Sequence, residues 1–577
     1  MNKKILYLNQ ELVPDLPIPS LEETQNTFLK WCEPFLSEEE FKNTKKISNH
    51  FFENDGKKRQ EKLLKFKESI GKKSWLIDNW HKYAYLSVRE PIVYSGNFGM
   101  KFKKLTNSDS YTQEQYSGIL IFKVAELYKE IALETLTPIV EKGNTICMKQ
   151  VKGVFGSSRI PGKDFDDFRI YKPFEEVHSV GIFYKNNFYT IRIFDENQNI
   201  IELSKIIANI REIKKISTPE LQPTFSVIPF AGGNKATELI EILSLDKNNI
   251  SNLESLNKTI FNLSLYDEKE TENYNDSIQN ILYTNAKNVW IYKPWSFSIF
   301  KENTLCINYE HTYIDGFTNM YLIDYIIKGI ENFNSSFKVV DNSNFITYKW
   351  NYSSLLKKEF KLIYNNYILD KQKFEHSYFE IRELNLENFI NNKISLDTII
   401  QTSFQYGYYK TYNRIDSIYE SVNLSNFYEG RTECLRPVSK ESILFVKKLL
   451  LNNATMEDLI LVNIEHKKRI KLTKTAHGVM RHLMGLKLIE KESSDFFSDL
   501  GFLKLSNDQI STSTLGNTFN YINAFTFAPV IQDGIGIGYS IDKEKVILYL
   551  SFYKKNEKDI TIFTENIREF FTKIKLF

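Results

Sequence analysis

The run Tyr309-Glu310-His311-Thr312-Tyr313-Ile314-Asp315-Gly316 sets an imidazole four residues ahead of a carboxylate, with a glycine directly after it. An imidazole can take a proton near neutral pH, and a nearby carboxylate can hold the ring and offset the charge it acquires. The pattern suits a general base. The same residues have plainer uses: histidines also fill cores and turns, and Asp315 could simply cap a following helix. Gly316 allows the turn backbone angles closed to other residues.

Such a base needs a rigid mount. Leu305 to Asn308 reads as a buried strand and Phe317 to Ile330 as an amphipathic helix, so His311 is expected at a strand-to-helix turn. Ser20 with Glu23, and Ser37 with Glu40, have capping-box spacing and should start helices. Tyr116 to Leu136 has helical periodicity, and the charge-rich Lys42 to Lys73 reads as solvated helical surface. Val180 to Tyr184 and Phe188 to Phe194, joined by Lys185-Asn186-Asn187, form an expected β-hairpin. Asp267 to Asp276 and Asp341 to Asn344 are polar and expected in loops. Alternating α and β elements indicate α/β architecture, and 577 residues suggest two domains.

Composition narrows the function. Lysine and arginine number 75 against 72 acidic residues, so neither a nucleic-acid footprint nor a funnel for acidic substrates is implied. Cys32, Cys147, Cys306 and Cys434 are scattered without metal-ligand spacing and read as reduced thiols. His50, His81, His178, His376, His466, His477 and His482 show no metal spacing either, so no metal site is expected. No apolar run approaches the roughly 20 residues needed to span a bilayer. The first residues lack a signal-peptide pattern and Lys575-Leu576-Phe577 is not a peroxisomal address, which leaves the cytoplasm as the expected location.

Further motifs extend the reading along the whole chain: Leu16-Pro17-Ile18-Pro19-Ser20-Leu21, Tyr85-Leu86-Ser87-Val88-Arg89-Glu90-Pro91, Ser158-Arg159-Ile160-Pro161-Gly162, Tyr419-Glu420-Ser421, Gly430-Arg431-Thr432-Glu433, Arg481-His482-Leu483, Ser511-Thr512-Ser513 and Phe527-Ala528-Pro529-Val530. In order and spacing these resemble the choline/carnitine O-acyltransferase family. The resemblance implies two similarly folded domains of the chloramphenicol acetyltransferase type, each a mixed β-sheet with flanking helices, meeting at an active-site tunnel. Residues 1–80 would pack on the second domain, with 81–350 and 351–577 forming the two acyltransferase domains.

It also implies roles. His311 would be the general base, Asp315 its support and Ser513 the oxyanion donor. Tyr419, Thr432 and Arg481 would hold the carnitine carboxylate, a task suited to a guanidinium fork with hydroxyl donors. Phe527 would face the quaternary ammonium with Ser511 beside it. Carnitine is favoured over choline, which lacks a carboxylate. Phe525, two positions before Phe527, would block the acyl tunnel and restrict substrates to short chains, acetyl first. The enzyme would need no permanently bound cofactor, use coenzyme A as co-substrate in fatty acid metabolism, and be a monomer.

Two stretches depart from the family pattern. Lysines expected for the coenzyme A phosphate fall on Glu387 and Asn391, leaving Lys393 and Asp397 as the coenzyme A contacts. An acylated pantetheine on a carrier protein is therefore an alternative donor, another hydroxyl or amine an alternative acceptor, and a silent binder of acyl-coenzyme A or carnitine an alternative role. Pro229 to Asn234 also differs, and altered loop structure is expected there.

Overall fold

The computed structural model describes residues 3–577 apart from 106, 335, 336, 339, 341, 342, 383, 385, 515–520, 542 and 543. Two mixed sheets dominate it. The larger has eight strands in the order Phe345–Thr347, Asn187–Arg192, Ser179–Tyr184, Asn262–Leu265, Trp295–Ile299, Leu305–Glu310, Asn97–Phe102 and Ile522–Phe527. The smaller has six, in the order Phe374–Ile381, Val546–Tyr553, Ile535–Ile541, Ile510–Thr514, Ile418–Asn423 and Thr432–Leu435. Parallel pairings lie inside each sheet and antiparallel ones elsewhere. This is the α/β architecture the sequence implied, with helices over both sheets.

The strand Ile522–Phe527 lies beside the small sheet but pairs with Asn97–Phe102 at the edge of the large one, Phe98 opposite Phe527 and Met100 opposite Phe525. The chain then returns to the small sheet with Ile535–Ile541. Strand alternation puts Phe525 and Phe527 on one face and Ala524 and Thr526 on the other. Phe525 and Phe527 join Met100, Phe297, Ile307 and Tyr309 in the core under the helices Gln113–Ala132 and Gly316–Glu331.

On the far side, the N-terminal helices Leu21–Cys32 and Glu38–Glu53 contribute Phe28, Trp31 and Phe51 to the core that includes Phe404, Leu483 and Phe496. The helix Ser354–Lys371 lies beyond residue 350, yet its Leu356, Phe360 and Tyr367 pack with Phe225, Phe230 and Leu239 on the large-sheet side.

Local expectations meet the structure closely. Ser20–Glu23 and Ser37–Glu40 form complete capping boxes. A third, Thr112 with Gln115, starts the helix Gln113–Ala132 slightly before the expected Tyr116. The hairpin turn is two residues rather than three: Lys185 and Asn186 have φ of 50° and 65°, the left-handed pair that matches strand twist, and Asn187 joins the second strand. The polar stretch from Asp267 ends in a helix, because Asn273 accepts from the backbone amides of Asn275 and Asp276 and caps Tyr274–Leu282. Asp341 and Asn342 lie outside the described residues. All four cysteines are free and buried. Among the described residues no helix is long and apolar enough to cross a membrane.

Candidate active site

His311 directly follows the strand Leu305–Glu310, whose side chains are all buried. Its Nδ1 lies 2.6 Å from the Ile314 carbonyl oxygen. A carbonyl only accepts, so Nδ1 carries the proton and Nε2 presents its lone pair. Burial pushes the imidazole below its ordinary pKa, and Arg431 adds to this, while Asp315 and Glu310 oppose it. The ring is thus neutral at pH 7, the form a general base needs.

Asp315 supports this arrangement differently from the expectation. Its Oδ1 is 3.9 Å from His311 Nδ1, and the hydrogen bond that fixes the ring goes to Ile314 instead. Asp315 occupies the N-cap position of the helix Gly316–Glu331, but its side chain makes no capping bond. It is gripped by Arg431, with Nε to Oδ2 at 2.7 Å and Nη2 to Oδ1 at 3.0 Å, and by Gln150 Nε2 at 2.7 Å. Burial works against the charged carboxylate, but Arg431 and His311 outweigh it and hold the group below its usual range. Arg431 also donates to the carbonyls of Thr312, at 2.7 Å, and His311, at 3.2 Å. Aspartate and arginine together therefore lock the turn, and the carboxylate reaches the imidazole only through space.

Tyr419, Thr432 and Arg481 come together as expected. Arg481 Nε donates to the Thr432 carbonyl at 2.8 Å, and Nη2 lies 3.3 Å from the Tyr419 hydroxyl and 3.4 Å from Thr432 Oγ1. The guanidinium rests on the Trp80 ring, 4.0 Å from its centroid. Among the described residues no carboxylate lies within ion-pair distance of it, and Nη1 has no protein partner.

Phe98 joins the remaining residues to the base. Its ring meets His311 edge-on at 4.7 Å and lies 5.6 Å from Phe525 and 5.3 Å from Phe527. Gly538 and Gly536 on the small sheet approach these rings so closely that an added Cβ would sit 2.8 Å from Phe525 and 3.1 Å from Phe527. Ser513 and Ser511 are the register neighbours of those two glycines. Ser511 is buried and its hydroxyl has no partner among the described residues, and Ser513 is half-buried. Residues 515–520, within the expected insertion before Phe527, lie outside the described residues.

The expected coenzyme A contacts stand apart. Asp397 already accepts from His466 Nε2 at 2.7 Å and the Tyr539 hydroxyl at 2.8 Å. Lys393 is exposed with φ of 60°, and its carbonyl accepts from Lys467 Nζ at 2.5 Å. Asp397, Glu420 and His466 form the one group of ligand side chains, among the described residues, near enough to share a cation. Burial and the adjacent Asp397 push the Glu420 carboxyl well above the usual range. The sequence, with these three far apart, gave no sign of the cluster. His482, beside Arg481, points the other way and bonds Thr24 and Gln60 of the N-terminal helices.

The structure adds Arg431, Gln150, Phe98, Tyr85 and Trp80. Tyr85 lies 5.3 Å from His311 and 5.5 Å from the Arg431 guanidinium. Arg431 adjoins Thr432 in a quoted motif, but nothing in the sequence pairs it with Asp315. Its left-handed φ of 57° turns it toward the catalytic loop.

A family model described as Choline/Carnitine o-acyltransferase matches residues 16–569. The carnitine O-acetyltransferase of Homo sapiens is 25% identical over 577 residues, covering 94% of this chain and 90% of that protein. A putative acetyltransferase of Mycoplasma pneumoniae is 23% identical, covering 96% and 92%. The mitochondrial carnitine O-palmitoyltransferase 2 of Xenopus tropicalis is 24% identical, covering 97% and 91%.

Proposed function

The chain belongs to the choline/carnitine O-acyltransferase family, and from that premise we propose that it moves a short acyl group, acetyl first, reversibly between coenzyme A and the 3-hydroxyl of carnitine. It is an acyl-CoA-dependent O-acyltransferase. The acceptor assignment rests on Arg481: a buried guanidinium held by Thr432 and Tyr419, stacked on Trp80 and, among the described residues, in ion-pair contact with no carboxylate, suits an anionic acceptor. Choline could not use it.

His311 Nε2 takes the proton of the carnitine hydroxyl as its oxygen attacks the thioester carbonyl carbon. The resulting oxyanion is met by Ser513, a donor type typically worth a few kcal/mol. The intermediate then expels the thiolate, which takes the proton back from Nε2. Phe527 and Ser511 face the trimethylammonium group. Phe525, buried and stacked on Phe98, fills the space a longer acyl chain would need. Cytoplasmic location, a monomeric state, a role in fatty acid metabolism and the absence of a resident cofactor belong to the same proposal. So does the division into residues 1–80, 81–350 and 351–577.

A second reading has one observation in its favour. The lysines expected for the coenzyme A phosphate fall on Glu387 and Asn391, and Asp397 is engaged by His466 and Tyr539, which suits an acylated pantetheine delivered on a carrier protein; Lys467, bonded to the Lys393 carbonyl, is the cation beside Lys393.

The test is thiol release from acetyl-coenzyme A with carnitine or choline. Carnitine-dependent release that disappears in His311→Ala, and whose carnitine KM rises steeply in Arg481→Ala, is the expected result. No release with either acceptor, at low salt and across acyl lengths, would overturn it.

A further inference from the structure

Residues Trp80–Leu86 form a π-helix, an element that is rare and often found at functional sites. Three of its side chains each touch a different part of the site. Trp80 backs the Arg481 guanidinium, His81 stacks on Tyr313 of the catalytic turn at 5.1 Å, and Tyr85 packs against His311. This short segment therefore spans the distance from the carboxylate clamp to the base.

Its last carbonyls are held by buried ionic groups. Arg159, 1% exposed, donates from Nη2 to the Tyr85 carbonyl at 2.9 Å, from Nε to Asp166 at 2.7 Å and from Nη1 to Glu310 at 3.2 Å. The Asp166 backbone amide in turn donates to the Leu86 carbonyl at 2.9 Å, and its carboxylate accepts from Arg89 Nη2 at 2.8 Å. Glu310 is the residue before His311, and it also accepts from the Thr312 amide and hydroxyl just after it. Charges alternate along the chain Glu310, Arg159, Asp166, Arg89. Each buried ion thus has a partner of opposite sign, and the directional bonds define one geometry.

The geometry points to Arg159 as a positioning residue for both halves of the site: one guanidinium fixes the strand end that carries His311 and the π-helix that backs Arg481, and so sets the spacing between base and acceptor clamp. Arg159 touches no reacting atom. Lysine keeps the charge but cannot form the three-way fork.

This inference rests on the proposed acyltransfer, so its test includes a readout that needs no substrate. In Arg159→Lys, kcat is expected to fall about 10²-fold, the cost of misplacing a catalytic group by about 1 Å. Carnitine KM should rise severalfold, while acetyl-coenzyme A KM stays within twofold. Removing the charge with Arg159→Met exposes His311 to an uncompensated Glu310, in addition to Asp315 and Arg431, so the His311 titration followed by NMR should move upward. The double variant Arg159→Met/Glu310→Gln removes both charges and should bring that titration back. It also serves if the single variant does not fold. The inference is overturned if folded Arg159→Lys keeps kcat and carnitine KM within twofold. It is equally overturned if both KM values rise together, or if the double variant shows normal kinetics. An inactive parent enzyme would instead count against the acyltransfer reading, with the titration still deciding the role of Arg159.

Discussion

Around His311 and Arg481, each functional group is braced by residues from distant parts of the chain, whereas around Lys393 the side chain stands in solvent and only its backbone is engaged. Asp315 is gripped by Arg431 and Gln150, and Arg481 by Thr432, Tyr419 and Trp80. Lys393 offers a carbonyl to Lys467, and Asp397 is occupied by His466 and Tyr539. Directional recognition of a small acceptor requires buried, fixed donors. Recognition of a phosphate can rely on exposed charge that tolerates variation in position. On the proposed assignment, the acceptor side is built as an interior and the thioester side as a surface.

The sharpest way to break this contrast is at Arg431. Arg431→Met leaves Asp315 buried and unpaired, which should cost about 3–5 kcal/mol of stability as well as kcat, both measurable by denaturant unfolding and initial rates. Phe525→Gly should cost about 3 kcal/mol or more through the lost packing. In return it should shift preference toward longer acyl donors, read by comparing acetyl- and octanoyl-coenzyme A. Arg481→Ala removes charge-assisted bonds worth about 2–3 kcal/mol, so carnitine KM should rise roughly 10²-fold with a smaller change in kcat. Lys393→Ala should alter acetyl-coenzyme A KM by less than about twofold, and the salt dependence of that KM should be shallow. A large effect there would erase the distinction between the two sides.

Acid pH gives a further check on the buried side. Burial pushes His81, His376 and His482 down to about 3, so each stays neutral in the folded chain across a range where the unfolded chain binds a proton. Stability is complete above the ordinary histidine value of 6.5 and should fall as pH drops from there toward about 3, by about 1.4 kcal/mol per pH unit for each. Unfolding midpoints measured between pH 7 and 4 test this. Because the His311 value is also lowered, the acid limb of kcat/KM should have its midpoint below 6.5.

Much of this was legible in the sequence because it was local. Capping boxes need two residues three apart, a hairpin needs left-handed turn residues, and a base on a strand-to-helix turn needs one short run. Tyr419, Thr432 and Arg481 could be gathered through the resemblance and their shared chemistry. Arg431, Phe98, Tyr85 and Arg159 could not, since each acts through a partner brought near only by the fold. Asp397 shows the converse: its identity suggested a ligand contact, and the structure engages it with His466 and Tyr539. Asp315 is tied to His311 by the motif they share, while its strongest partner, Arg431, lies in a different segment.

The strand Ile522–Phe527 has a consequence for how the chain reaches this state. Phe98, which packs against His311, leaves the ribosome long before the strand that closes its sheet edge. Until then Asn97–Phe102 presents unpaired backbone groups and an uncovered aromatic face, the kind of edge that invites pairing with other chains. Such a long-range closure is also slow. A nascent or C-terminally shortened chain should therefore be inactive and prone to self-association, and the risk should end when the crossing strand docks.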